Sequence, residues 1–340
     1  MRVSVAELPS TDRANEPACH LGDVPVVLCC SVPGVDFEVS VAGNELSILS
    51  RRPLPRRCTM RPMALFENGR GYVDITTAMG RLVFPHGATA AENYKPFTQD
   101  KNRRLRKLYL AVEAMPEDDQ PASRWRWQNT LPVAEDLLKA SGVPWNPPAR
   151  QEIDQLLTFA DWPVPIEACV LYVLTAWAQA RGRFVLEVGS FRGSSLMVLA
   201  MALRAAKSDL PIVSVDPHLD QPFNRDHALL ALRQIGEDGR LIQIPMRSDV
   251  VAGLLQPASA SLIFIDGDHG YEQVKADIAN YDPLLAPGGC MVLHDYGFGA
   301  HNGYPDPHPG VRRAVDEVLF GRPDHRPILS AHTMVAFVKE

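Results

Sequence analysis

From about residue 151 to its end, the chain alternates helical stretches with short apolar runs. The runs "RFVLEV", "PIVSVD", "RLIQIP", "ASLIFID" and "CMVLHDY" are each bounded by turn residues. Between them lie "SSLMVLAMALRAA", "HALLALRQIG" and "YEQVKADIANYDPLL", whose apolar positions recur at helical spacing. Strands that are apolar on both faces and separated by helices predict a doubly wound, mostly parallel α/β sheet. "RPILS" and "TMVAFVK" close the chain as an expected hairpin.

The first part reads differently. Residues from about 22 to 90 show short alternating stretches, the signature of strands. "FEVSVAGNELSIL" predicts a hairpin around Ala42-Gly43-Asn44, "MALFENGRGYVDI" a second around Asn68-Gly69, and "RLVFP" a further strand. "DKNRRLRKLYLAVEAM" (100–115) predicts a helix, and "RWRWQNTLPVAEDLLKASG" another, closed by Gly142. The prolines of "WNPPAR" mark the expected boundary, which gives a β-rich accessory domain over 1–150 and an α/β domain over 151–340.

Composition narrows the class. A formal net charge of −6 argues against a general nucleic-acid binder. The six cysteines show neither a CxxC pair nor zinc-type spacing, so reduced thiols and a cytoplasmic setting are expected. The first residues lack the apolar core of a signal peptide. No stretch approaches the roughly 20 apolar residues of a membrane span.

Two polar clusters interrupt the apolar pattern at strand ends. "VLEVGSFRGSS" puts Glu187, Gly189, Ser190, Gly193 and Ser194 at a strand-to-helix turn, where glycines let backbone approach a ligand. The spacing is G-x-x-x-G rather than G-x-G-x-x-G, so a dinucleotide pyrophosphate is not expected there. Asp216, at the tip of the next strand, stands where α/β nucleotide binders grip ribose hydroxyls. Ser248 follows the third strand, at a place suited either to an adenine or to a helix cap.

The second cluster is "FIDGDHGYEQV" (264–274) together with His294-Asp295 after "CMVL". Asp266, His294 and Asp295 converge at strand carboxyl ends and can supply ligands to Mg²⁺, the imidazole shifting the preference toward Mn²⁺. His269 is a candidate base, since its ordinary pKa lies near neutrality. A capping turn, with Asp268 as the cap, is the structural alternative. The glycine- and proline-rich stretch 297–310 is an expected substrate lid.

The ordered set E-V-G-x-x-x-G, V-D-P, I-D-G-D-H-x-Y-E-x-V-x-x-D, L-L-x-P-G-G, H-D-Y and P-G-V-x-x-A resembles the class I S-adenosylmethionine-dependent methyltransferases over about residues 165–340. More narrowly, it is similar to the metal-dependent sugar O-methyltransferases of macrolide pathways and to cephalosporin-cluster methyltransferase-like proteins. The resemblance implies a Rossmann-like sheet of seven strands, the last antiparallel. It further implies that Glu187 to Gly193 wrap the amino-acid part of S-adenosylmethionine and that Asp216 holds its ribose. Asp266, His294 and Asp295 become the expected metal ligands, with His294 standing where those relatives have a carboxylate. His269 becomes the base. The expected activity is O-methylation of a sugar or glycosylated small molecule, the alternatives being a catechol-like or other small-molecule acceptor, or a non-catalytic protein with a relict cofactor pocket. A homo-oligomer is expected, without nucleic acid as partner.

Overall fold

The computed structural model describes the strands of the first 114 residues as backbone elements. It describes residues 123–340 apart from 160–164, 218–222, 297–307 and 332. Seven strands form the α/β sheet: β1 (Phe184–Val188), β2 (Ile212–Val215), β3 (Leu241–Ile244), β4 (Ala260–Ile265), β5 (Leu285–Leu293), β6 (His325–Ala331) and β7 (Met334–Lys339). Their spatial order is β3-β2-β1-β4-β5-β7-β6. The first five are mutually parallel, and β7 runs antiparallel to both β5 and β6. This is the doubly wound, Rossmann-like sheet of the class I methyltransferase fold, and the terminal hairpin forms as the alternation of apolar residues predicts.

The parallel strands are apolar on both faces because helices cover both. On one face, Val185, Leu262, Phe264 and Val292 share a core with α3 (Pro165–Ala178) and α4 (Ser194–Ala205). The alternate residues Leu186, Ile263, Met291 and Leu293 are equally buried, as period-two alternation requires of a sheet with two covered faces. Below the strand ends, α7 (Tyr271–Tyr281) and α8 (Pro309–Val318) pack against each other. Phe264 is fully buried, so truncating it to alanine is expected to cost about 3–5 kcal/mol. Cys169 and Cys290 are buried free thiols, and burial pushes Cys290 up to about 12, out of reach of thiolate chemistry.

The same core extends N-terminally. Leu137 and Leu138 of α1 (Ser123–Ala140) and Leu156 of α2 (Arg150–Phe159) join it, so these helices pack with the α/β sheet. The sheet itself also continues beyond β6, because residues 63–65 pair antiparallel with Leu329–Ala331.

Among the first 114 residues, the hairpin predicted around 42–44 forms, with Phe37–Ala42 paired to Glu45–Ser50 in the register Ala42 to Glu45. The strand predicted from "RLVFP" is present at Leu82–Phe84. Two expectations are corrected. The stretch 100–115 is not a helix but parts of two strands, Phe97–Arg103 and Leu105–Ala114. Its Leu108, Leu110 and Val112 repeat every second residue, and that period-two pattern, rather than helical spacing, decides the structure. Nor do the strands flanking Asn68-Gly69 form a hairpin: Cys58–Phe66 pairs with Leu105–Ala114, whereas Tyr72–Ile75 pairs with Phe97–Arg103. A partner far along the chain displaces the local one.

Candidate active site

The loop after β1 is built by two glycines that nothing else can replace. Gly189 has φ +87°, and a Cβ there would stand 2.1 Å from the carbonyl oxygen of Asp266. Gly193, at the same φ, would press a Cβ to 2.7 Å from Cα of Ala228 on α5 (Phe223–Gln234). The close approach of the β1 and β4 loops thus depends on a missing side chain. Asp216, beyond β2, holds the loop in place: its Oδ2 accepts from the N–H groups of Ser190 at 3.0 Å and Phe191 at 2.9 Å. Ser194 opens α4 directly after Gly193.

Glu187 is fully buried, and among the described residues only the Ser195 hydroxyl approaches its carboxyl group as a donor, without reaching good hydrogen-bond geometry. Burial, reinforced by the nearby Asp266 and Asp216 carboxylates, pushes its pKa well above the usual range. The Ser190 hydroxyl is also buried and unpartnered. Orphaned buried acceptors are rare because they cost about 1–3 kcal/mol each, so they mark a place made for a donor. An acceptor of this kind beside a glycine cradle fits the ammonium-bearing amino-acid end of S-adenosylmethionine. The loop borders a cavity of about 540 Å³, lined by Phe191, Asp216, Ser248, Asp266, His269 and Asp295 among others. That volume suits a nucleoside-sized ligand, and the cavity lies at the carboxyl ends of the strands, where β1 and β4 diverge in sequence order. Ser248, on the one-turn α6 (Ser248–Val251), is tied to α7: its Oγ accepts from Gln273 at 3.1 Å and its carbonyl from the Tyr281 hydroxyl at 2.8 Å.

The second cluster faces the same cavity. Nδ1 of His294 lies 3.2 Å from Oδ1 of Asp266 and 3.2 Å from Oδ1 of Asp295. Nε2 of His269 is 2.8 Å from Oδ2 of Asp295 and 3.8 Å from Oδ1 of Asp266. Asp295 adopts φ +58°, an uncommon angle for a non-glycine residue, which aims its carboxylate between the two histidines. The Asp266 and Asp295 carboxylates push the His269 pKa up to about 9. Burial alone would lower the pKa of His294, but Asp266 and Glu167 hold it well above the ordinary value. For Asp295 burial is likewise outweighed, here by the two histidines, and its pKa falls well below the carboxylate range.

Two carboxylates balanced only by imidazolium groups fit a divalent cation, which supplies the same charge at one point. Donor atoms of Asp266, His294 and Asp295 lie within 4.8 Å of one another. Asp268 instead accepts the Gly270 N–H at 2.6 Å, an Asx turn leading into α7 rather than a cap on the helix itself.

Glu167, on α3, escaped the sequence reading. It is fully buried, its Oε1 accepts from the Thr333 N–H at 2.9 Å, and its Oε2 lies 3.4 Å from Nε2 of His294. This carboxylate turns Nε2 of His294 away from the cavity and leaves Nδ1 facing Asp266 and Asp295. The only signal in the sequence is one acid in the otherwise apolar "PIEACVLYVLTAWA". His308, just before α8, also reaches the cluster: its ring is tilted by 39° against that of His269, with centroids 4.1 Å apart. Most of the expected lid, 297–307, lies outside the described residues.

Comparison with known proteins bears on the cofactor half of this site. Residues 186–296 match the family model described as "Methyltransferase domain". No curated protein sequence matches the chain. Among solved structures, the O-methyltransferase TomG from Streptomyces achromogenes, involved in tomaymycin synthesis and in complex with SAM, is 20% identical over 66% of this chain and 91% of that one, with a TM-score of 0.42. An O-methyltransferase from Bacillus cereus in complex with SAH is 17% identical over 66% and 93%, at a TM-score of 0.43. CalS11, a TDP-rhamnose 3′-O-methyltransferase of calicheamicin biosynthesis, is 17% identical over 66% and 96%, at 0.40. The matched residues run from β1 through β5 and contain both the glycine loop and the acidic strand ends, so it is the cavity-forming part of this chain that is similar to a methyltransferase domain.

Proposed function

We propose that the protein is an O-methyltransferase that needs a divalent ion and acts on a hydroxyl of a sugar or glycosylated small molecule. One observation carries the proposal: the glycine loop with Asp216 and the cluster of Asp266, His269 and Asp295 open into a single cavity. A methyl donor and a deprotonated acceptor must meet within about 3–3.5 Å, and a shared cavity is the precondition.

The residues divide the work. Glu187, Gly189, Ser190, Gly193 and Ser194 cradle the amino-acid end of the cofactor, and Asp216 and Ser248 its nucleoside end. S-Adenosylmethionine, when bound, supplies an already activated methyl group, so the chain has only to align and deprotonate the acceptor. Asp266, His294 and Asp295 would hold the ion, whose positive charge favours the ionised form of a hydroxyl. His269, whose Nε2 faces the carboxylates of Asp295 and Asp266, is the group that takes the acceptor's proton; a bound ion would supply the positive charge those carboxylates otherwise draw from its imidazolium. General-base assistance of this kind is worth about 10²–10⁴-fold in rate. The sugar class of the acceptor rests on the ordered motifs of the sequence. The β-rich region before the helices supplies substrate or subunit contacts in this reading, whereas α1, also inside the expected 1–150 boundary, packs with the α/β core.

The test is transfer of labelled methyl from S-adenosylmethionine to a panel of nucleotide sugars, glycosides and catechols. Labelling of glycosyl hydroxyls supports the proposal. Transfer confined to catechols would overturn the acceptor class, and calorimetry showing no cofactor binding would overturn the activity.

A further inference from the structure

Asp295 has two oxygens, and they face different histidines. Oδ1 faces His294, whereas Oδ2 lies 2.8 Å from Nε2 of His269 and 3.9 Å from Nε2 of His308. The donor atoms of His269, Asp295 and His308 lie within 4.8 Å of one another, as a second group beside that of Asp266, His294 and Asp295. We propose that His269, Asp295 and His308 form a second site, sharing Asp295 with the first, for a borderline transition-metal ion of the Zn²⁺ class, and that occupancy there removes His269 from base catalysis. The inference rests on the reading of His269 as the base of the proposed methyl transfer.

The donor set selects the ion. Two imidazoles and one carboxylate are the ligands of Zn²⁺, Co²⁺ or Ni²⁺, whereas Mg²⁺ prefers a shell of oxygens. The two histidines are also held as a pair. Gly310, the second residue of α8, packs so tightly that a Cβ there would stand 2.6 Å from the carbonyl oxygen of His269 and 2.6 Å from the Tyr271 nitrogen. The start of α8 is thereby fixed on the turn that carries His269, and His308 is the residue immediately before that helix. Tetrahedral ligation needs donors about 3.3 Å apart, reached from the present spread by small rotations of the side chains. His269 and His308 are 37% and 30% exposed, so an ion has a way in and a fourth, open position.

A third group of donor atoms, Asp282, Asp324 and His325, has no such character, because Arg322 and Lys339 already neutralise Asp282 at 2.9 and 3.3 Å. Coordination at His269 uses the lone pair on Nε2 that a base must offer to the acceptor's proton. The same residue therefore serves either catalysis or the borderline ion. A harder ion at Asp266 and Asp295 would support turnover, while Zn²⁺ at the second group would stop it.

The test is direct binding of the metal alone to the full chain. Co²⁺ is titrated and followed by its visible d–d absorption, and Zn²⁺ by competition with a chromogenic chelator. Wild type is expected to bind both, and His308→Ala to weaken Zn²⁺ at least tenfold with loss of the Co²⁺ band, while S-adenosylmethionine binding by calorimetry stays unchanged. In transfer assays with Mg²⁺ present, Zn²⁺ is expected to inhibit wild type, and His308→Ala to resist it at least tenfold while keeping its uninhibited rate. Equal Zn²⁺ affinity in wild type and His308→Ala would overturn the site. Zn²⁺ binding that depends on His308 yet leaves methyl transfer unaffected would overturn the inhibition. A chain that binds Zn²⁺ through His308 but transfers no methyl group would keep the site and reject the methyltransferase reading instead.

Discussion

Two regions of the molecule gather aspartates around histidine, at opposite edges of one sheet. At the carboxyl ends of β4 and β5, Asp266 and Asp295 meet His269 and His294. At the amino ends of β5 and β6, Asp282 meets His325 at 2.9 Å, Arg322 at 2.9 Å and Lys339 at 3.3 Å. The chemistry of the side chains is nearly the same, so proximity of histidine and aspartate does not define a site. What differs is compensation. Asp282 has permanent cations and belongs to the frame, whereas Asp266 and Asp295 have, among the described residues, only titratable imidazoles as partners and face a cavity. Charge that is balanced by arginine and lysine holds a fold together; charge balanced by histidine can be re-balanced by a ligand.

The sharpest way to break this contrast is to remove divalent ions. EDTA is expected to abolish methyl transfer, and Mg²⁺ or Mn²⁺ to restore it, with no change in the unfolding midpoint contributed by the Asp282 network. Full activity in chelator would place both clusters in the frame. Next in size, His269→Ala should lower turnover by about 10²–10⁴-fold while cofactor affinity by calorimetry is retained. His325→Ala should leave turnover alone and lower the melting temperature. An unchanged rate in the first variant would move the base elsewhere.

Glu167→Gln tests how the first cluster is oriented. Its carboxylate fixes which nitrogen of His294 faces the cavity, so metal affinity is expected to fall about 10–100-fold. Equal affinity would mean that His294 is not a ligand. This residue also shows where the sequence stops being legible. Asp216, Asp266 and the pair His294-Asp295 could be read because each directly follows an apolar run, with His269 only three residues beyond Asp266, and a polar residue at a strand end is exposed to a crevice by the fold itself. Glu167 lies 127 residues before the histidine it contacts, inside an apolar helix, and only packing brings them together. The same holds for fold elements. The sheet from β1 to β7 follows from local alternation of strands and helices. The pairing of residues 58–66 with 105–114, rather than with their neighbours across Asn68-Gly69, is a long-range outcome that no turn signal announces.

The smallest expected effect on activity belongs to the Asp282 cluster, and it has a definite sign with pH. Burial would raise the pKa of Asp282, but His325, Lys339 and Arg322 outweigh it and bring the carboxyl down to about 2. Its value in the unfolded chain is about 3.9, so the folded state binds the proton less well. The stabilisation is therefore complete above about pH 5 and is lost as the pH falls through about 2, amounting to about 2.5 kcal/mol. Asp282→Asn should unfold at correspondingly lower denaturant at neutral pH, with turnover unchanged, and the gap to wild type should close as the medium approaches pH ~2. A gap that persists undiminished in acid would mean that shape rather than charge holds this corner. A loss of turnover at neutral pH in the folded variant would mean that the two clusters are coupled through β5, which connects them.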